Sequence, residues 1–203
     1  KFKSILKKNF LGASIESDFG KLPKNYSIII ANEFFDAIPL NQYIYKEKKW
    51  FERVITLDKN DNLCFGLSSS TKILSIELPK LVNDGFIFEY SENLFSIANL
   101  LFHNIKKYGG IILIIDYAKK KFDTDGTLFS IKNHSLKNPF EEIGTSDISF
   151  KPDFEIIKKI AKINGCNIIG QVSQSFFLQR LGVNERFDVL IRNNPEKRLA
   201  LLK

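Results

Sequence analysis

The sequence predicts an α/β fold, and three segments carry that prediction. Ser27 to Ala31 is a short apolar, β-branched run, which is typical of a strand buried on both faces of a parallel sheet. Ser91 to Tyr108 has apolar side chains at helical spacing, and Gly109-Gly110 ends it. A second apolar run, Ile111 to Ile115, follows at once and ends in Asp116. A helix, a glycine turn and an apolar strand in this order indicate alternating α/β architecture.

The first ninety residues contain the other strand signals. Residues 1–12 are predicted to be the last part of a helix, and the segment from Ala13 to Glu16 is predicted to be a short strand. From Leu40 to Leu67 the apolar residues alternate with a period of two, which predicts an antiparallel ribbon. The predicted strands of this part of the chain are Gln42 to Tyr45, Trp50 to Leu57, Leu63 to Leu67 and Phe86 to Tyr90.

The second half is less regular. Ala118 to Lys151 is long, polar and without clear periodicity, which predicts a loop, and loops of that length are often functional. Pro152 to Asn164 is predicted to be a helix and Asn167 to Val172 a strand. Two short helices follow, at Ser175 to Leu181 and Glu185 to Ile191.

Composition limits the classes of function. The chain has 203 residues and a net charge of +7, with 25 Lys against 5 Arg. The lysines are scattered along the chain and accompany no nucleic-acid-binding motif. We therefore interpret them as solvated surface residues whose abundance reflects an AT-rich genome, and we expect no nucleic-acid partner. Cys64 and Cys166 form no zinc motif and are expected to be reduced core residues, as in a cytoplasm-like compartment. No apolar run is long enough to span a bilayer.

The chain contains no Met and opens with Lys1. We therefore expect it to have been cut, or to begin inside a longer reading frame.

Polar residues at two strand ends are the candidate site. Asn32, Glu33 and Asp36 follow the first apolar strand, and Asp116-Tyr117 follows the second. Ligands of open α/β sheets bind beyond the carboxyl ends of parallel strands, where a carboxylate suits a guanidinium or an amine. An alternative stays open, in which Asn32 and Asp36 cap the turn and Asp116 makes only a loop hydrogen bond.

Two further side chains are weaker candidates. Trp50 is either a packing residue of the ribbon or the wall of a substrate groove, and packing is favoured. His134 lies in the long loop, where a lone histidine is more often a surface group than a base. The sequence has no Gly-x-Gly-x-x-Gly, phosphate loop or Gly-x-Ser-x-Gly.

The segment Ile29 to Gln42, which contains Asn-Glu-Phe-Phe-Asp-Ala-Ile-Pro, resembles a signature of the MidA-like family of S-adenosylmethionine-dependent methyltransferases. These are related to the mitochondrial complex I assembly protein-arginine methyltransferase. Trp50-Phe51-Glu52-Arg53 and the strand from Gly109 to Tyr117 also match the family's order, and the resemblance spans most of residues 14–192. Ala118 departs from it, since a Gly usually follows Asp-Tyr in the family.

The resemblance implies a partial class I methyltransferase (Rossmann-like) sheet, with residues 1–203 as the C-terminal portion of one domain. A β-ribbon insertion occupies about 40–67 and a long loop about 118–151. The family's cofactor motif, an acidic residue with a Gly-x-Gly turn, is not in this chain, so the N-terminal cofactor-binding strands are expected to be missing. The strand at Ile28 to Ala31 would then be an exposed apolar edge.

The resemblance also implies roles. Glu33 would bind and orient the arginine guanidinium with support from Asp36, and Asn32 would line the pocket of the cofactor, S-adenosylmethionine, or of the substrate. The substrate cleft would include Trp50, Asp116, Tyr117 and His134, and no metal is expected.

The implied reaction is methylation of an arginine in a protein substrate, a respiratory complex I subunit. The isolated chain is expected to be inactive, poorly stable, or dependent on a missing N-terminal half or a homo-oligomer. The alternative is a non-catalytic remnant or split-gene fragment that acts at most as an interaction module. The expected compartment is a bacterial cytoplasm, or the mitochondrial matrix in a eukaryote.

Overall fold

A computed structural model describes residues 5, 8, 9, 12, 14–16, 18–68, 78–120, 124–133 and 135–197. The chain divides into two compact units, Lys1–Asn167 and Ile168–Lys203. The helix predicted for residues 1–12 falls largely outside the described residues. The strand predicted at Ala13 to Glu16 is wrong, because its described residues 14–16 join no strand.

The described residues form nine strands and four α-helices, and a 3-10 turn lies at Phe19–Lys21. The strands are β1 Ser27–Asn32, β2 Asn41–Lys46, β3 Lys49–Leu57, β4 Leu63–Leu67, β5 Ile87–Tyr90, β6 Gly110–Ile115, β7 Phe129–Lys132, β8 Ser135–Lys137 and β9 Asp147–Ser149. The helices are α1 Glu92–Tyr108, α2 Phe154–Ile163, α3 Gln174–Arg180 and α4 Val183–Asn193.

Strands β1 and β6 pair in parallel, so that Ser27 lies opposite Gly110 and Asn32 opposite Ile115. Ile29 packs against the core on one face, whereas Ile28 and Ile30 are 72% and 67% exposed on the other. The prediction that this strand is buried on both faces is therefore wrong for the described residues. A two-stranded parallel sheet covered on one side matches the exposed apolar strand that the resemblance implied.

The α1 helix begins and ends as its sequence predicts. The Ser91 hydroxyl accepts a hydrogen bond from the backbone N–H of Leu94, which satisfies an otherwise unpaired amide of the first turn. At the other end Gly110 has φ 139°, and a Cβ there would lie 2.1 Å from the carbonyl oxygen of Ser27. Only glycine fits between the helix end and the start of β1, so this residue fixes how closely α1 approaches the parallel pair.

The core lies between the parallel pair and the helices α1 and α2. Its buried side chains come from β1, the turn after it, both helices and the segment before α2: Ala31, Phe35, Ile38, Leu94, Ala98, Leu101, Phe102, Phe150, Ile157, Ile160 and Ala161. Asp153 caps α2 by accepting a hydrogen bond from the N–H of Glu155 at 2.9 Å. Cys166 packs against this core, Cys64 is half-buried in β4, and both are free thiols.

The antiparallel ribbon is confirmed as a four-stranded sheet in the order β4-β3-β2-β5. Glu47 and Lys48 connect β2 to β3 with φ angles of 51° and 62°, the positive values that a tight two-residue hairpin turn requires. Trp50 packs against Tyr45, with ring centroids 5.2 Å apart, and against Phe86 and Phe88 at 6.3 Å. The favoured packing role of Trp50 is therefore confirmed.

The long loop predicted from Ala118 to Lys151 contains a small sheet instead, in the order β8-β7-β9. These strands have three or four residues each, which is too short for a period of two to stand out from the surrounding polar sequence.

In the second unit, α3 and α4 confirm the two short predicted helices, and Gly182 with φ 85° separates them. The strand predicted at Asn167 to Val172 is wrong. Its residues form no strand, and Ile169 is 85% exposed, so apolar composition alone was misleading there.

Candidate functional site

The turn after β1 begins where the parallel pair ends. The backbone N–H of Glu33 donates a hydrogen bond of 2.8 Å to the carbonyl oxygen of Ile115, one residue beyond the paired strands. Glu33 has φ 45°, a left-handed conformation that non-glycine residues adopt rarely and that is found in tight turns and functional sites. Its side chain is exposed at the carboxyl end of the sheet.

Asp116, which follows β6, holds this turn in place. Its Oδ2 accepts hydrogen bonds from the backbone N–H groups of Phe35 at 3.0 Å and Asp36 at 3.2 Å. Its Oδ1 accepts one from Tyr117 N at 2.8 Å. Burial and then the charge of Asp36 raise the pKa of the Asp116 carboxyl from 3.8 to about 6.

Asp36 is the buried acid of the turn. Its residue is 5% exposed, and its Oδ1 atom accepts no hydrogen bond from the described residues. Its backbone oxygen accepts a hydrogen bond of 3.1 Å from Phe150 N, which ties the turn to the segment before α2. A buried carboxylate oxygen without a hydrogen-bond partner is costly, so this atom is the least satisfied polar group of the turn among the described residues.

Tyr117 completes the group. The charge of Glu33, followed by burial and then by Asp36 and Asp116, raises the pKa of the Tyr117 phenol. The Tyr117 ring lies edge-on to Phe129 of β7, with centroids 5.9 Å apart. The charges of three carboxylates from two strand ends therefore all act on this one phenol.

The structure thus brings together five of the predicted site residues: Asn32, Glu33, Asp36, Asp116 and Tyr117. The loop hydrogen bonds predicted for Asp116 are confirmed, and its role in a substrate cleft stays a prediction. Trp50 belongs to the aromatic cluster of the ribbon, so its role in a substrate cleft stays a prediction. His134 lies outside the described residues.

A second polar cluster, centred on Glu89 of β5, was missed by the sequence reasoning. The Glu89 carboxylate accepts hydrogen bonds from Gln42 Nε2 at 2.9 Å, from Thr127 N at 2.6 Å and from the Thr127 hydroxyl at 2.9 Å. Lys119 Nζ lies 3.2 Å away, and the Glu89 side chain is only 6% exposed.

The same cluster extends into the ribbon. The Arg53 guanidinium donates to Gln42 Oε1 at 3.1 Å and lies over the Phe65 ring, 3.5 Å from its centroid. Gln42 and Glu89 face each other directly across β2 and β5. Gln42 and Glu89 are polar residues at positions of two predicted strands where the side chain is buried. This pattern was the signal from which the Glu89 cluster could have been predicted.

Ser91 links α1 to the site turn. Besides capping the helix, its hydroxyl donates a hydrogen bond of 2.6 Å to the carbonyl oxygen of Pro39. A depression of about 300 Å³ opens between this part of the turn and α1. Its lining residues are Phe19, Glu33, Phe34, Ala37, Ile38, Pro39, Asn93 and Ile97.

Comparison with known proteins places this geometry in a family. Residues 13–172 match a family model described as "Putative S-adenosyl-L-methionine-dependent methyltransferase". The chain belongs to this family. The matched range contains the turn after β1, the whole ribbon and the Asp116 strand end.

Relatives with curated names are protein arginine methyltransferases. The chain is 32% identical over 177 residues to the Drosophila melanogaster protein arginine methyltransferase NDUFAF7 homolog, mitochondrial. It is 30% identical over 186 residues to protein arginine methyltransferase NDUFAF7, mitochondrial, from Danio rerio. The matches cover 84% and 89% of this chain but 40% and 43% of those relatives, so the chain spans about two fifths of their length.

Solved structures share the fold. A Burkholderia thailandensis protein crystallised with S-adenosyl-homocysteine superposes with a TM-score of 0.70 at 19% identity, covering 89% of this chain and 49% of that one. A native structure of a protein from the same organism gives a TM-score of 0.73 at 18% identity, covering 98% and 56%. The prediction of a class I methyltransferase-like α/β fold is confirmed.

The family depends on S-adenosylmethionine, and the described residues supply some of the groups that could bind this cofactor. Asn32 and the unpartnered Asp36 oxygen offer polar groups at the sheet edge where such a ligand lies. The sequence contains no Gly-x-Gly turn to receive the amino-acid end of the cofactor. The described residues therefore fit one wall of the cofactor site and not the whole of it.

The described part of the chain shows neither a metal site nor a membrane-spanning helix. It contains no group of three or more His, Cys, Asp or Glu side chains arranged to hold a metal ion. None of its helices has the length and apolar character that crossing a membrane requires.

Proposed function

We propose that this chain forms the acceptor side of a protein-arginine methyltransferase, with Glu33 binding the arginine guanidinium. The observation that carries the proposal is the turn after β1, where an exposed Glu33 lies beside Asp36, Asp116 and Tyr117. A carboxylate accepts paired hydrogen bonds from a guanidinium, which fixes both its position and its orientation.

Each acid has a separate task in this proposal. Glu33 holds the guanidinium so that one nitrogen faces the methyl donor, because near-attack geometry is the main contribution a protein makes to such a transfer. Asp116 fixes the turn through two backbone N–H groups. S-adenosylmethionine, when bound, supplies the methyl group, and Asn32 and Asp36 contribute polar contacts on its side of the site.

The relatives' names support the substrate class, since they are protein arginine methyltransferases. A complex I subunit as the substrate, and a mitochondrial matrix or bacterial cytoplasm as the compartment, remain predictions within this proposal.

The test is a Glu33→Gln change in the full-length product of the gene, with transfer of radiolabelled methyl to arginine peptides as the readout. Losing the carboxylate is expected to reduce turnover about a hundredfold, because the guanidinium is no longer held in place. Glu47→Gln is the matched control, since Glu47 is also exposed and also has a positive φ, of 51°. Equal turnover of wild type and Glu33→Gln would overturn the proposal.

A second function is favoured by the incomplete cofactor site. The chain on its own would then be a non-catalytic interaction module that depends on other residues for S-adenosylmethionine. Calorimetric titration separates the two. No heat of binding with residues 1–203 supports the module, and clear binding places a complete cofactor site within this chain.

A further inference from the structure

Two neighbouring depressions lie along α1, and one of them is lined by Glu33. The depression of about 300 Å³ shares Phe19 and Ile97 with a second one of about 340 Å³, which is also lined by Asp18, Gly20, Ser96 and Leu100. The two together are called the Phe19 groove. It starts at Glu33, runs between the 3-10 turn at Phe19–Lys21 and α1, and reaches Asp18.

The middle of the Phe19 groove is apolar. Phe19 and Phe34 stand edge to face with centroids 5.8 Å apart, and Leu100, 38% exposed, and Ile97 line the α1 side. An aromatic and aliphatic channel of this kind favours an apolar side chain, and the faces of the two rings also favour a cation.

Both ends of the groove are acidic. Glu33 lines one end and Asp18 the other, and no Lys or Arg of the described part of the chain lines either depression. The chain as a whole has 30 Lys and Arg against 23 Asp and Glu, so a groove with an acid at each end differs in charge from the chain average. The charge pattern of the groove is complementary to a basic ligand with an apolar centre.

We propose that the Phe19 groove binds the substrate polypeptide along its length. The bound segment places an arginine at Glu33, an apolar side chain between Phe19 and Ile97, and a second basic residue at Asp18. This inference rests on the proposed function, since it extends the Glu33 site into a specificity groove. It makes Leu100 and Asp18 specificity-determining residues that do not touch the reacting atoms.

Binding of a short fluorescein-labelled peptide to residues 1–203 tests the proposal by fluorescence anisotropy, without cofactor. The peptide carries arginine, phenylalanine and lysine in that order, with variants that replace arginine by neutral citrulline or phenylalanine by alanine. Leu100→Gln is expected to weaken binding about fivefold by removing apolar contact. Asp18→Asn keeps the turn-capping oxygen and is expected to weaken it about threefold.

Leu81→Gln is the matched control, because Leu81 is 98% exposed and lines neither depression. It should leave the affinity unchanged, and the citrulline and alanine peptides should each bind about fivefold more weakly. Equal effects of Leu100→Gln and Leu81→Gln, or undiminished binding of the citrulline peptide, would overturn the proposal. So would sedimentation showing that Leu100→Gln breaks a dimer, because a second copy would then occupy the groove.

The outcomes separate this inference from the proposed function. Peptide binding that depends on Leu100 in a protein without methyl transfer supports the groove and contradicts the proposed activity. Methyl transfer by a full-length Leu100→Gln protein with an unchanged KM for the peptide contradicts the groove and leaves the activity in place.

Discussion

The two main sheets of the first unit are the four-stranded ribbon and the parallel pair of β1 and β6, and they differ in how many stabilising contacts the chain itself provides. The ribbon has four strands, an aromatic cluster around Trp50 and the Glu89 cluster, whose carboxylate has protein donors on both oxygens. The parallel pair has two strands and leaves Ile28 and Ile30 exposed on one face. The candidate acids follow the strands of the parallel pair, which is the smaller of these two sheets.

This difference is informative because parallel sheets are normally covered on both faces. Glu89 of the ribbon has protein donors on both carboxylate oxygens, although Ile55 and Leu57 of the same sheet are 63% and 55% exposed. The parallel pair also presents apolar surface, and its Asp36 has a buried carboxylate oxygen with no partner among the described residues. The unpartnered Asp36 oxygen therefore belongs to the sheet whose outer face is exposed at Ile28 and Ile30.

The largest expected effect concerns the ribbon. Glu89→Ala removes the shared acceptor of Gln42, Thr127 and Lys119, and it leaves the Lys119 ammonium, 18% exposed, without this partner. We expect the free energy of unfolding to fall by about 3 kcal/mol, the typical cost of breaking a buried ion pair on one side. Urea denaturation followed by circular dichroism measures it.

The control is Glu155→Ala on α2, where the Lys158–Glu155 pair is largely solvated and Glu155 is 72% exposed. Its cost should be much smaller than that of Glu89→Ala, because solvent screens an exposed ion pair. If both changes cost the same, the Glu89 cluster does not hold the ribbon together and the contrast between the two sheets fails.

A smaller effect is expected on the parallel pair. Ile30→Thr, at 67% exposure, should change the free energy of unfolding by less than about 0.5 kcal/mol. Ile29→Thr on the opposite face of β1 should cost about 2 kcal/mol, because Ile29 packs against the core. Thermal unfolding at several protein concentrations measures both. An equal cost for the two variants would show that the outer face is covered as well.

The sequence predicted the elements that have long or strict periodicity. The helix from Ser91 to Tyr108, the alternating strands of the ribbon and the apolar run at Ile111 to Ile115 all formed where expected. The motif Asn-Glu-Phe-Phe-Asp-Ala located the site turn, because its acids follow directly after a strand.

What the sequence could not predict depends on tertiary pairing. Strands β7 to β9 are too short to show a period, and Ile168-Ile169 looked like a strand although it pairs with none in the described residues. The Glu89 cluster joins Gln42, Thr127 and Lys119 from three separate segments, and the strand pattern at Gln42 and Glu89 could not show that Thr127 and Lys119 join them. Asp116 as the anchor of the site turn likewise depends on contacts 80 and 81 residues apart.

The raised pKa of Asp116, caused by burial and then by the charge of Asp36, makes the stability of the fold depend on pH with a definite sign. Its carboxyl has a pKa of about 6 in the folded chain and an ordinary value of 3.8. The folded chain therefore binds this proton more tightly than the unfolded one. The contribution of Asp116 to stability is largest below about pH 4 and declines as the pH rises through 6.

The most direct test of the site is to titrate the Asp116 carboxyl carbon by NMR in the wild type and in Asp36→Asn. If Asp36 lies beside Asp116 as described, the pKa of Asp116 is about 6 in the wild type. In Asp36→Asn it falls but stays above 3.8, because burial, the larger cause, remains. An unchanged pKa in Asp36→Asn, or an ordinary value in the wild type, would show that the acids of the two strands do not form one site.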